Sequence, residues 1–73
     1  MTNNSKQYLL ALMISDIDDK RACLRVLEDE FREAKGAGRH AEAGDIAIVI
    51  NHIKKSLKVI NLIYVKVDYL IRN

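Results

Sequence analysis

Hydrophobic residues recur at every third or fourth position along two segments of the chain, about 5–35 and 45–72. In each segment, seven of the eight positions of the repeating stripe are apolar. The stripe of the first segment is Leu10, Met13, Ile17, Lys20, Leu24, Leu27, Phe31 and Ala34. That of the second is Ile46, Val49, Ile53, Ser56, Ile60, Ile63, Val67 and Leu70. A three-to-four repeat held over this length predicts two amphipathic α-helices.

The stretch between the stripes contains all three glycines of a chain that has no proline. They are Gly36, Gly38 and Gly44. Because glycine is the residue that most often follows a helix end, we expect Lys35 and Gly36 to close the first helix and residues 36–44 to form a loop. Two long helices joined by a short connection form an antiparallel hairpin.

The start of the second helix has two readings. Asp45 is the predicted N-cap, but the helix could instead begin near Arg39 and carry Gly44 inside it. With the turn centred near residue 40, Phe31 is expected to face Val49.

Two stretches leave alternatives open. The polar run SDIDDKR, residues 15–21, is interpreted as a belt on a continuous helix, because Ile17 keeps the heptad phase and no glycine or proline interrupts it. The alternative is a helix break at Ser15–Asp16, since Ser15 and Asp18 have the spacing of a helix start. The β-branched residues of segment 62–71 allow a strand there, although the uninterrupted stripe favours a helix.

A chain of 73 residues is near the lower limit for a self-sufficient core. Cys23 is the only cysteine, which excludes an internal disulfide, and His40 and His52 lack the spacing of metal ligands. Many apolar residues also lie outside the stripes, most of them at the end that carries both termini. We therefore expect an all-α protein, a two-helix antiparallel hairpin that assembles as a homodimeric four-helix bundle. Lys20, inside a stripe, either fixes the register and oligomeric state of the bundle or extends its amine to water.

The surplus apolar residues also suit a protein partner. The predicted function is a non-enzymatic helical interaction module, a regulator, inhibitor or antirepressor that binds another protein. The predicted contact residues are Leu9, Leu12, Leu62, Val65 and Tyr69.

Nucleic-acid binding is the alternative function. Its candidate face is a run of bases and amides on one side of the second helix: Asn51, Lys54, Lys55, Lys58 and Asn61. In length and in having two helices per chain, the layout resembles the Rop type of small RNA-binding bundle, which implies an RNA- or DNA-binding dimer. We expect these lysines to form a solvated outer face instead, because no aromatic residue lies among them to stack bases.

Other classes of function have less support. The net charge of +2 does not by itself indicate nucleic acid. No apolar run is long enough for a transmembrane span, and none has the features of a signal peptide. Asp16 and Asp19 share one side of a helix but have no predicted cleft, so we expect no catalytic residues, no metal and no cofactor. A single cysteine is typical of a cytoplasmic protein.

Overall fold

The computed structural model describes the backbone of residues 3–72 and the side chains of residues 5–72. Two antiparallel helices account for nearly all of it: α1 spans Asn3–Gly36 and α2 spans His40–Arg72. The described part of the chain contains no strand. The predicted all-α helical hairpin is confirmed. Neither described helix has a stretch both long and apolar enough to cross a membrane.

Both helices are continuous through residues 15–21 and 62–71, where the sequence also allowed a helix break and a strand. Residues 15–21 lie within α1, so the polar run does not break the helix. Lys20 Nζ donates a hydrogen bond to Asp16 Oδ1 at 2.6 Å, one turn away on the same helix. Segment 62–71 lies within α2, and the strand alternative is wrong.

The turn is shorter than expected, and a different glycine makes it. Gly38 has φ of 76°, in the left-handed region that favours glycine. The amide of Arg39 donates to the Ala34 carbonyl at 2.9 Å, and the amide of Gly38 to the Lys35 carbonyl at 3.2 Å. This pair of bonds is the Schellman arrangement, in which Gly38 is the residue just past the helix end. Helix α1 thus ends at Gly36, close to the predicted end, but the glycine that takes the left-handed position past it is Gly38.

The second helix begins at His40, as in the earlier of the two predicted starts. The Arg39 carbonyl accepts the first helical bond, from the amide of Ala43 at 2.9 Å. The Arg39 side chain pairs with Glu42 in the first turn at 3.0 Å. Asp45 is therefore inside the helix, and the predicted loop over 36–44 contracts to residues 37–39.

The seam between the helices follows the predicted stripe of α1 closely. Every member of that stripe is buried or half-buried, with Leu10, Met13, Ile17 and Ala34 at 8% exposure or less. The first stripe is confirmed as the packing face of α1.

The seam of α2 is rotated from its predicted stripe. Half of the stripe is retained, namely Ile46, Ile53, Ile60 and Val67, which are half-buried. At the other four positions the next residue along the chain is the more buried one: Ile50 after Val49, Leu57 after the half-buried Ser56, Tyr64 after Ile63 and Ile71 after Leu70.

The exposed fractions of the α2 side chains and the residues that line a groove beside Phe31 both support this rotation of the α2 seam. Val49, Ile63 and Leu70 are 45%, 46% and 68% exposed, whereas Ile50 and Leu57 are 8% and 9% exposed. Phe31 shares a groove with Ile50 instead of facing Val49.

Candidate interaction surfaces

The seam divides the hairpin into two long side faces. On one side, Leu9 and Leu70 line a common groove. On the other side, Ile14 and Asp68 line a second groove. Ile71 borders both grooves because it lies on the seam between them. Helical geometry of 100° per residue then assigns each outward position to one side or the other.

The first side face is named the apolar flank. Its large apolar members are Leu9, Leu12, Val26, Val49, Val59, Ile63 and Leu70. Leu12 is 50% exposed and Val59 is 56% exposed, although both are large aliphatic side chains. Leu9, Leu12, Ile63 and Leu70 all lie toward the termini, so the apolar area is concentrated at that end.

The opposite side face is named the basic flank. Exposed bases from both helices lie along it: Arg21, Arg25, Lys54 and Lys58. Glu28 of α1 and Lys54 of α2 border one shallow groove, which shows that the two helices meet on this side at that level.

The formal charges of the helices are separated between the flanks. By helical position, the basic flank has Arg21, Arg25, Arg32, Lys35, Lys54, Lys58 and Arg72 against Asp18, Glu28 and Asp68. The apolar flank has Asp16, Asp19, Glu30, Glu33, Glu42 and Asp45 against Lys6 and Lys66. A net charge of only +2 therefore conceals one basic side and one acidic, apolar side.

The five predicted protein-contact residues do not form one surface. Leu12 is exposed on the apolar flank, and Leu9 is half-buried at its edge. Leu62 and Tyr69, 57% and 65% exposed, point away from the seam on the back of α2. Val65, 64% exposed, turns toward the basic flank and shares a shallow concavity with Tyr69. The structure thus separates these residues into an α1 group and an α2 group.

The predicted nucleic-acid residues, in contrast, lie together. Asn51, Lys54, Lys55, Lys58 and Asn61 are all exposed. Four of them lie on the basic flank, and Lys55 lies at its outer edge. Sequence reasoning missed Arg21 and Arg25, which join this group from α1. Their signal was present in a row of three-to-four spacing along α1: Ile14, Asp18, Arg21, Arg25 and Glu28.

Lys20 occupies the seam position predicted for it. Its side chain is 28% exposed, and its amine is held by Asp16, whose side chain is 42% exposed on the apolar-flank side. The lysine stem thus runs along the seam while its charged end reaches the boundary with solvent.

Comparisons with protein-family models, with curated proteins and with solved structures find no match to this chain. Function is therefore inferred from the surfaces of the chain itself, chiefly its exposed apolar residues and its separated charges.

Proposed function

We propose that this protein is a non-enzymatic helical interaction module that self-associates as a homodimeric four-helix bundle and regulates another protein by binding it. The observation that carries the proposal is the exposure of twelve large hydrophobic side chains among the described residues of a single hairpin. Full burial of such a side chain is worth about 1.5–3 kcal/mol, so covering even half of them adds several kcal/mol.

The total surface supports association as well. The isolated chain exposes 5583 Å², whereas a compact monomer of 8.3 kDa exposes about 4,600 Å² by the usual scaling. The excess of about 1,000 Å² is comparable with the roughly 800 Å² that each partner buries in a standard interface. An elongated shape is the cause: the radius of gyration is 16.6 Å, against about 11 Å for a compact chain of this length.

The apolar flank is the side best suited to contact a second copy. A four-helix bundle buries the seam residues of each helix and one adjoining position. On the apolar flank that adjoining position holds Leu9, Val49, Ile63 and Leu70, together with Asp16, Glu30 and Glu42, of which Asp16 and Glu42 are in ion pairs on their own chain. On the basic flank the corresponding positions include Arg21, Glu28 and Lys54, whose burial would remove unpaired charges from water at high cost.

A dimer formed on the apolar flank leaves a surface for another protein. Leu62 and Tyr69 lie on the back of α2, away from both the seam and the apolar flank. Their side chains would remain accessible in the bundle, and Val65 adjoins them. Exposed leucine, valine and tyrosine on one helix face are the residue types that bind an apolar groove or helix of a partner.

Self-association is tested with a matched pair of substitutions. Ile63→Glu places a charge on the apolar flank, and Val65→Glu places the same charge two residues away on the other side of α2. Light scattering on a sizing column is expected to give about twice the 8.3 kDa chain mass for the wild type and for Val65→Glu. Ile63→Glu is expected to give the chain mass. A wild-type monomer at micromolar concentration would contradict the proposal.

Partner binding is tested separately. The wild-type protein is used as bait in the native host, and proteins that remain bound are identified by mass spectrometry. Leu62→Glu and Tyr69→Glu are expected to lose the partner while keeping the dimer mass, because a charge then enters a contact that excludes water. A partner retained equally by wild type and both variants would assign its binding to another surface.

A further inference from the structure

The basic flank is a second surface with chemistry of its own. Five exposed cations, Arg21, Arg25, Lys54, Lys55 and Lys58, lie along it or at its edge. The amides of Asn51 and Asn61 are exposed among them. None of these residues is needed to cover the apolar seam.

None of these cations forms an ion pair within the described residues, although Glu28 borders the same groove as Lys54. Within the described residues, the ion pairs join Asp16 with Lys20, Asp29 with Arg32, Arg39 with Glu42, and Asp68 with Arg72. None of the five cations belongs to such a pair. Most of the unpaired acids are on the apolar flank, on the far side of the seam. The basic flank therefore keeps an excess of positive charge that attracts an anionic partner.

The spacing of the cations suits a phosphate backbone. Arg21 to Arg25 and Lys54 to Lys58 each advance four residues, or about 6 Å at 1.5 Å per residue. That distance covers about two phosphates of one duplex strand, at 3.4 Å each along the axis. Two short rows of cations, one from each helix, can contact phosphates in this way without any base contact.

No exposed aromatic ring lies among these cations. Phe31 and Tyr64 border the grooves on this side but are half-buried at the seam, while Tyr8 and Tyr69 point outward from the backs of their helices. Single strands are held largely by bases stacked on exposed aromatic rings, and the basic flank offers no such ring. Duplexes, by contrast, are held through their phosphates by cations and amides.

We propose that the basic flank, Arg21 and Arg25 of α1 with Lys54, Lys55 and Lys58 of α2, binds the phosphate backbone of double-stranded nucleic acid without reading its sequence. The site is complete within one hairpin, so it does not depend on self-association. A bundle joined through the apolar flanks would carry two such surfaces on its outside.

Fluorescence anisotropy tests the proposal with a labelled duplex of about 20 base pairs, which is longer than the 53 Å hairpin. Two unrelated sequences are used as DNA and as RNA duplexes, each beside its single strand. Binding is expected at about 50 mM salt, similar for both sequences and weaker for the single strands. The affinity is expected to fall steeply by about 200 mM salt, with a log–log slope of about −4.5 if each of the five cations contacts one phosphate.

Two lysines of α2 provide a matched comparison. Lys58→Gln, on the basic flank, is expected to weaken binding and to reduce the salt slope by about 0.9. Lys66→Gln, an identical change on the apolar flank, is expected to leave the slope unchanged. The triple variant Arg25→Gln, Lys54→Gln, Lys58→Gln is expected to lose binding with its helical circular dichroism intact, because all three positions are exposed.

Three results would overturn the proposal. These are no binding of the wild type at about 50 mM salt, tighter binding of single strands than of duplexes, or equal losses in Lys58→Gln and Lys66→Gln. The last result would indicate a general charge effect instead of a surface. If the triple variant fails to fold, the two single variants still decide between a site and no site.

Discussion

The apolar flank and the basic flank are built from the same two helices and share one seam, yet they differ in almost every physical property. The apolar flank exposes Leu12, Ile63 and Leu70 among acids. The basic flank exposes Arg25 and Lys58 among amides. A two-helix protein is thin, 53 × 15 × 12 Å, so the two surfaces are close but face opposite directions.

A small chain can keep two surfaces independent by placing them on opposite sides of one seam. An apolar contact is stable when it excludes water, whereas a cationic surface must stay exposed to water so that a charged ligand can reach it. Placing the two chemistries on opposite sides of the seam allows one to be covered while the other stays solvated. Substitutions at the seam, at Lys20, at the turn and at the ion pair of Asp16 test this contrast.

The largest change in the free energy of unfolding is expected at the seam that separates the flanks. Leu57→Ala should lower the free energy of unfolding by about 2–5 kcal/mol, because Leu57 is only 9% exposed and the change leaves a cavity. Leu62→Ala, with a side chain 57% exposed, is the control, and it should cost less than about 1 kcal/mol. Chemical denaturation measures both. Equal losses would mean that the seam is not centred on Leu57.

The next effect concerns Lys20, the polar residue of the α1 seam. If Lys20 fixes the register of the helices, Lys20→Leu should raise the free energy of unfolding by about 1–2 kcal/mol or change the oligomeric state, because it removes a polar group from an apolar line. Denaturation together with light scattering checks both outcomes. No change in either quantity would leave Lys20 as a side chain that only extends to solvent.

The turn sets how the two helices, and therefore the flanks, are aligned. The same glycine-to-alanine change should have opposite effects on the free energy of unfolding at Gly38 in the turn and at Gly44 inside α2. Gly38→Ala should destabilise by about 1 kcal/mol, since φ of 76° is strained for a residue with a Cβ. Gly44→Ala should stabilise by about 0.5–1 kcal/mol, since Gly44 is inside a helix with open space around it. Thermal unfolding measures the pair. A gain from Gly38→Ala would contradict the described turn.

The smallest effect is expected at the ion pair beside Lys20. Asp16→Asn removes the charge partner of Lys20, and it should lower the free energy of unfolding by only about 0.2–0.5 kcal/mol, because both groups reach solvent. The dimer mass should be unchanged in light scattering. Asp19→Asn is the control for loss of one acid, since the structure gives Asp19 no ion pair among the described residues. A loss of binding function in either folded variant would assign these carboxylates a role.

Features that depend on neighbours along the chain follow from the amino-acid sequence alone. Both helices follow from a three-to-four repeat without proline, and the packing face of α1 follows because its stripe has no competing apolar row beside it. The exposed lysines of α2 were also readable, because Lys54, Lys55 and Lys58 interrupt an otherwise apolar segment. Local turn chemistry placed the connection among the glycines, but it did not choose between Gly36 and Gly38.

Only the tertiary structure decided which row of α2 packs on α1. Apolar residues occupy adjacent positions in that helix, such as Val49 and Ile50 or Ile63 and Tyr64, so two faces fit the same repeat. The choice between them depends on how Leu57 packs against α1 and on where Gly38 turns the chain. The pairing of Arg21 and Arg25 with the lysines of α2 follows from that same choice. Residues some thirty positions apart come to one flank only when the rotation and register of two helices are fixed together.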